Sequence, residues 1–127
     1  MASILAVDDS ITMRQMTRIA LQGGGHDVVT AENGLSALDI ARSTAFDLVI
    51  TDLQMPDMDG ITLIGELRKL PAMRDRPMLV LTTETGDDRK QAGREAGASG
   101  WIIKPIGARQ LRDLVERVLG DEAGTGE

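Results

Sequence analysis

Along the chain, short apolar runs alternate with windows in which apolar residues return every three or four positions. Residues 4–7, 28–31, 46–51, 78–82 and 101–103 are β-branched or aliphatic runs of strand length. The runs "DLVI" and "MLVL" carry no polar alternation, as expected of central strands covered on both faces. Between the runs lie helical windows. The last is the clearest, with Leu111, Leu114, Val115, Val118 and Leu119 on one face. Strands separated by helices pair in parallel through right-handed crossovers. The pattern therefore predicts an α/β protein, a doubly wound five-stranded parallel sheet built from five βα units.

Punctuation agrees with these elements. Ser10 suits the N-cap of the first helix, the glycines at 23–25 can stop it, and Asp59-Gly60 opens the third. The fourth window, "DDRKQAGREAG", has alanines as its only apolar residues. It also carries Gly93, which costs about 1 kcal/mol relative to Ala in a helix interior. It is predicted to be the loosest helix. From Gly120 onward "GDEAGTGE" has no apolar anchor, so one domain over 1–120 and a flexible tail over 121–127 are expected.

Composition narrows the function classes. A net charge of −6 opposes the phosphate-backbone attraction of nucleic-acid binders, so no nucleic-acid partner is expected. Seven of the 14 Lys and Arg residues follow residue 85, but they are interleaved with acids and read as a solvated face. With 0 Cys there is no disulfide framework or thiolate metal site. No apolar run approaches the ~18 residues of a membrane span, and no signal pattern precedes the first strand. A cytoplasmic monomer without membrane contact is the expectation.

The stretch "SILAVDDSITM" then raises a question of charge. It places the carboxylates Asp8 and Asp9 side by side at the end of a buried strand, where two like charges at 4 Å repel by roughly 4 kcal/mol. Positive charge is expected nearby. In open α/β sheets ligands bind beyond the carboxyl ends of the strands, and the polar residues gather there. Asp8 and Asp9 follow the first strand, Asp52 the third, Thr82 ends the fourth and Lys104 the fifth. Three carboxylates without a His or Cys cluster make a hard oxygen site suited to Mg²⁺. With one ammonium and one hydroxyl added, the set suits transfer of a phosphoryl group to a carboxylate.

The segments "VDD", "TDLQMPDMDG", "LTTE" and "GASGWIIKP", in this order and spacing, resemble the receiver domains of two-component response regulators, and among them the stand-alone CheY-like chemotaxis regulators. The resemblance covers residues 3–119 and implies the flavodoxin-like strand order 2-1-3-4-5. It implies that Asp52 is the phosphoacceptor, that Asp9 binds Mg²⁺ directly and Asp8 mainly through water, and that the Gln54 backbone carbonyl completes the protein ligands with Asp52. Lys104 would pair with Asp52 and then with the phosphoryl oxygens, Thr82 would sense the phosphoryl group, and Trp101 would stand at the aromatic switch position. An isolated Trp is otherwise ordinary core packing. A cis Lys104–Pro105 peptide is implied as well; Gln54 and Glu84 would flank the path of the attacking water, where Thr83 is larger than the Ala or Gly common in the family, and the three side chains would tune hydrolysis. The implied partners are a CheA-like histidine kinase and either a flagellar motor switch protein or a histidine phosphotransfer protein, the latter if the chain is a phosphate sink or relay. A metal-dependent phosphatase with Asp52 as nucleophile is the rival of another class. It is disfavoured because Leu53 and Gln54 follow Asp52 where haloacid-dehalogenase enzymes carry DxD. A flavin domain is weaker still, since the acidic loop after the first strand repels phosphate.

Overall fold

The computed structural model describes residues 2–124, those from 121 onward by backbone alone. Five βα units follow one another: β1 (Ser3–Val7), α1 (Ile11–Gln22), β2 (Asp27–Ala31), α2 (Gly34–Ser43), β3 (Leu48–Thr51), α3 (Gly60–Leu67), β4 (Met78–Thr82), α4 (Asp87–Ala96), β5 (Gly100–Ile103) and α5 (Ala108–Gly124). All pairings are parallel, in the order β2-β1-β3-β4-β5. The predicted fold class is the observed one. Among the described residues no helix is long and apolar enough to cross a membrane.

Successive side chains of a strand point to opposite faces, and here both faces are covered. Leu5, Val7, Val49, Met78 and Val80 join Leu63, Ile64 and Leu67 of α3 and Ala37 and Leu38 of α2 in one core. Ile4, Ala6, Leu48, Ile50, Leu79 and Leu81 join Ala20 and Leu21 of α1 and Leu111 and Val115 of α5 in the other. This is why β3 and β4 show no polar alternation, whereas the edge strand β2 carries exposed positions. It is also why the α5 stripe faces inward, with Leu114, Val118 and Leu119 packed at its margin.

Strand limits differ from the sequence reading where local bonding competes with pattern. Phe46 is buried but precedes β3, because Asp47 instead ties this segment to the start of β1. The Asp47 N–H donates to the Ser3 carbonyl at 2.8 Å, and its carboxylate accepts the Ser3 N–H at 2.9 Å. Gly100 joins β5 as the partner of Leu79, and a Cβ there would stand 2.9 Å from Leu79 Cδ2. Helix α5 reaches Gly124, past the expected boundary at Gly120, and the tail expected over 121–127 otherwise falls outside the residues whose side chains are described.

Capping follows the expected residues. Ser10 accepts the Met13 N–H at 3.3 Å, and Asp59 accepts the Thr62 N–H at 2.7 Å. Helix α4 is asymmetric. Its N-cap, Gly86, makes no side-chain cap bond, whereas Gly97 closes the other end at φ +112°. The Gly97 carbonyl accepts Arg68 Nη2 at 2.6 Å, fastening that end to α3.

Two glycines of α3 test this packing. A Cβ at Gly60 would lie 2.2 Å from the Asp52 carbonyl oxygen, whereas a Cβ at Gly65 meets nothing within 4 Å. Gly65→Ala is expected to raise the unfolding free energy by about 0.5–1 kcal/mol, and Gly60→Ala to lower it by roughly 1–3 kcal/mol. Urea denaturation of the two variants checks the opposite signs.

Candidate functional site

Strand order reverses beside β1, which pairs with β2 on one side and β3 on the other. The chain leaves these strands in different directions, and a crevice opens at their carboxyl ends. The ladder itself places the acids there. The Asp52 N–H donates to the Val7 carbonyl at 2.8 Å, which sets Asp52 beside the Asp8 that follows Val7. The Lys104 N–H donates to the Thr82 carbonyl at 2.8 Å, so the ends of β4 and β5 are joined in the same way.

Three of the predicted acids converge. Asp8, Asp9 and Asp52 each bring a carboxylate oxygen to within 4.8 Å of the others. The expected positive charge is Lys104, whose Nζ stands 3.1 Å from Asp8 Oδ2 and 3.5 Å from Asp52 Oδ2. These side chains are only 15%, 11% and 13% exposed, so water screens their charges weakly. Asp9, by contrast, is exposed. Backbone donors fix the remaining oxygens. Leu53 N–H donates to Asp52 Oδ1 at 2.7 Å, and Ser10 N–H to Asp8 Oδ1 at 2.9 Å.

Burial pushes the Asp52 carboxyl above the ordinary carboxylate value. The Lys104 ammonium opposes this, the Asp8 charge reinforces it, and the Leu53 N–H favours the ionised form. At Asp59 burial is outweighed by the Thr62 N–H and by Arg89, which hold that carboxyl below its usual range.

Thr82 is buried at the end of β4, and its hydroxyl accepts the Glu84 N–H at 3.2 Å. Trp101 lies away from the acids, against the β4–α4 loop, where its indole N–H donates to the Glu84 carbonyl at 2.9 Å. The Lys104–Pro105 peptide is cis. The side chains of Gln54 and Thr83 are exposed, while the Glu84 carboxylate is turned into its own loop to accept the Gly86 N–H at 2.9 Å.

Sequence reasoning missed Arg14. Its guanidinium donates to the Asp8 carbonyl at 2.7 Å, and with Asp8 and Asp52 it lines a small cleft under the acids. The signal was available: a cation on the first turn of a helix that starts directly after two carboxylates can fold back over them. It also missed Arg68, a fastener formed by three separate segments that no local pattern marks.

Residues 4–116 match the family described as response regulator receiver domain. The chain is 36% identical over 125 residues to a chemotaxis protein CheY homolog of Campylobacter jejuni, covering 97% of this chain and 96% of that one. It is 42% identical to the solved chemotaxis protein CheY4 of Vibrio cholerae, with a TM-score of 0.89 over 93% of this chain and 98% of that one. A CheY-like receiver domain protein of Methanospirillum hungatei superposes with a TM-score of 0.91 at 26% identity, over 98% of both chains. The chain belongs to the response regulator receiver family, CheY-like in kind. It is a phosphoacceptor signalling protein served by a cognate histidine kinase, and not an enzyme in the usual sense.

The raised Asp52 carboxyl has a consequence for stability. The folded state holds that proton more tightly than the unfolded chain, so stability falls as pH rises from the ordinary carboxylate value through the raised one. Asp52→Asn is therefore expected to raise the thermal midpoint at neutral pH, with the gain fading as pH drops through that window. Melting curves of both proteins in chelator, from neutral to acid pH, check it. A gain independent of pH, or a loss at neutral pH, contradicts the assignment.

Proposed function

We propose that this chain is a single-domain response regulator, its functional unit spanning 1–120. Asp52 takes a phosphoryl group from a histidine kinase, and the chain then signals by binding a protein of the chemotaxis apparatus, a flagellar motor switch protein. The observation that carries the reading is three carboxylates with oxygens within 4.8 Å of one another, two of them paired with the Lys104 ammonium. Even with Arg14 on the Asp8 carbonyl, two positive charges against three negative ones leave a deficit, and the donors are all oxygen. A hard divalent cation fits that deficit. Asp9 would hold Mg²⁺ directly and Asp8 mainly through water, with Asp52 and the Gln54 carbonyl completing the protein ligands. When bound, Mg²⁺ supplies neutralisation of the charge on the transferring phosphoryl oxygens.

The chain's own groups then divide the work. Leu53 N–H holds Asp52 Oδ1, which leaves Oδ2, the oxygen facing Lys104, as the nucleophile. Oδ2 forms the bond to phosphorus as the phosphorus–nitrogen bond of the donor phosphohistidine breaks, and the imidazole leaves with the bonding pair. Lys104 moves from the carboxylates to the new phosphoryl oxygens. The product carries about −1.5 to −2 charges and fresh acceptor oxygens, and the Thr82 hydroxyl turns to donate to one of them. In moving toward the phosphoryl group the Thr82 oxygen leaves the Glu84 N–H, which alters the loop that Trp101 holds. The signal leaves through the surface of α4, β5 and α5. Near full-length similarity to chemotaxis proteins supports the choice of output.

Acetyl phosphate with Mg²⁺ is expected to add one phosphoryl group, seen by intact mass, and Asp52→Asn to accept none. Asp9→Ala should weaken the apparent Mg²⁺ affinity by at least the roughly 10–100-fold lost with outer-shell partners elsewhere. Equal modification of Asp52→Asn, or modification in chelator, overturns the reading, and turnover of a generic phosphate ester would favour the phosphatase. Thr82→Ala should still be modified, yet show a weaker change in Trp101 emission with beryllofluoride. Capture from cells with beryllofluoride and Mg²⁺ should retain a motor switch protein. Capture of a histidine phosphotransfer protein alone would make the chain a relay or phosphate sink.

A further inference from the structure

Gly93 stands in the middle of α4, where glycine is a poor helix former, and it is the buried residue of that helix. A Cβ at this position would lie 2.7 Å from Cζ3 and 3.1 Å from Cε3 of Trp101. Both atoms belong to a rigid ring, so a methyl there displaces the whole indole. The other end of the ring is held by its N–H on the Glu84 carbonyl at 2.9 Å. The indole is thus seated between the β4–α4 loop and the backbone of α4, with no side chain of Gly93 between them. It also forms a wall of a surface cavity of about 70 Å³ shared with Lys90, Arg94, Ala98 and Gly100.

We propose that Gly93 is a positioning residue, a notch that admits the Trp101 indole to α4 and makes the setting of the ring and the setting of the helix one variable. The weak α4 sequence is then a consequence of fit: glycine is kept where alanine would favour the helix because the ring occupies the space. The route is continuous, from the Thr82 hydroxyl to the Glu84 N–H, from the Glu84 carbonyl to the indole, and from the indole to Gly93. Arg68 fastens the Gly97 end of α4 through bonds at 2.6 and 3.2 Å, whereas the Gly86 end has no side-chain cap and the half-exposed Arg89–Asp59 pair at 3.5 Å, so a push at Gly93 moves the Gly86 end most. That last coupling rests on the phosphoryl switch proposed above; the notch itself does not.

The test is a double-mutant cycle in unphosphorylated protein. Gly93→Ala is expected to lower the thermal midpoint when Trp101 is present and to raise it in the Trp101→Phe background, where the ring is too short to fill the notch. In the Trp101 protein, Gly93→Ala should also increase acrylamide quenching, since the indole is driven outward. A rise in both backgrounds means that the ring has room, and a fall in both means that glycine answers some other constraint. Either result, or unchanged quenching, overturns the proposal. A Gly93→Ala chain that does not fold is read through the double variant, which must fold better than Gly93→Ala alone if the notch is real. Intact mass after acetyl phosphate separates the two readings. If Asp52 of the parent stays unmodified the switch fails and the notch stands, whereas a sign pattern other than the expected one removes the notch whatever Asp52 does.

Discussion

The ammonium of Lys104 between the carboxylates of Asp8 and Asp52 is the interaction on which the site depends. Parallel pairing delivers both acids to neighbouring strand ends, and the sheet would face unrelieved repulsion there without a cation from a third strand. Lys104 comes from β5, at the far side of β4, and only its long stem spans that distance. The electrostatic balance is deliberately incomplete in chemical terms. One cation quiets two buried acids, and Asp9 at the rim adds a charge that it does not meet. A largely covered carboxylate with a raised proton affinity, in a site with an unmet demand for positive charge, suits a hard cation and a phosphoryl donor.

The same geometry links the acid site to Trp101 and α4 by a continuous chain of contacts. Thr82 and Lys104 end adjacent strands joined by a backbone hydrogen bond, and Glu84, two residues beyond Thr82, offers its N–H to Thr82 and its carbonyl to Trp101. A change in what the Thr82 hydroxyl accepts is therefore felt by a residue, Glu84, whose carbonyl carries the indole. Helix α4 is the most weakly held element, since it buries little, is fastened by Arg68 at its Gly97 end and is tied at the other by the half-exposed Arg89–Asp59 pair.

Much of this was legible in the sequence because it is local. Strand-length apolar runs, the Ser10 and Asp59 caps and the α5 stripe each arise from residues close together in the chain, and the sheet order followed from the resemblance carried by four short motifs. The acids and Lys104 were legible because strand ends converge in this fold. What escaped was non-local or negative. Arg68 bonds carbonyls of separate segments, Arg14 acts through a backbone acceptor, and Phe46 looks like strand although Asp47 binds β1 instead. Gly93 read as a weakness of α4 because a glycine's meaning lies in what occupies the space beside it.

In the proposed switch Lys104 and Thr82 serve a phosphoryl group on Asp52. The most direct measurement is a crystal structure of the protein with Mg²⁺ and beryllofluoride. Beryllium is expected on a carboxylate oxygen of Asp52, with fluorines within hydrogen-bond reach of Lys104 Nζ and Thr82 Oγ1 and the Thr82 hydroxyl no longer accepting the Glu84 N–H. Beryllofluoride on another carboxylate, or bound at Asp52 with Lys104 still seated on Asp8 and Thr82 unmoved, would contradict it.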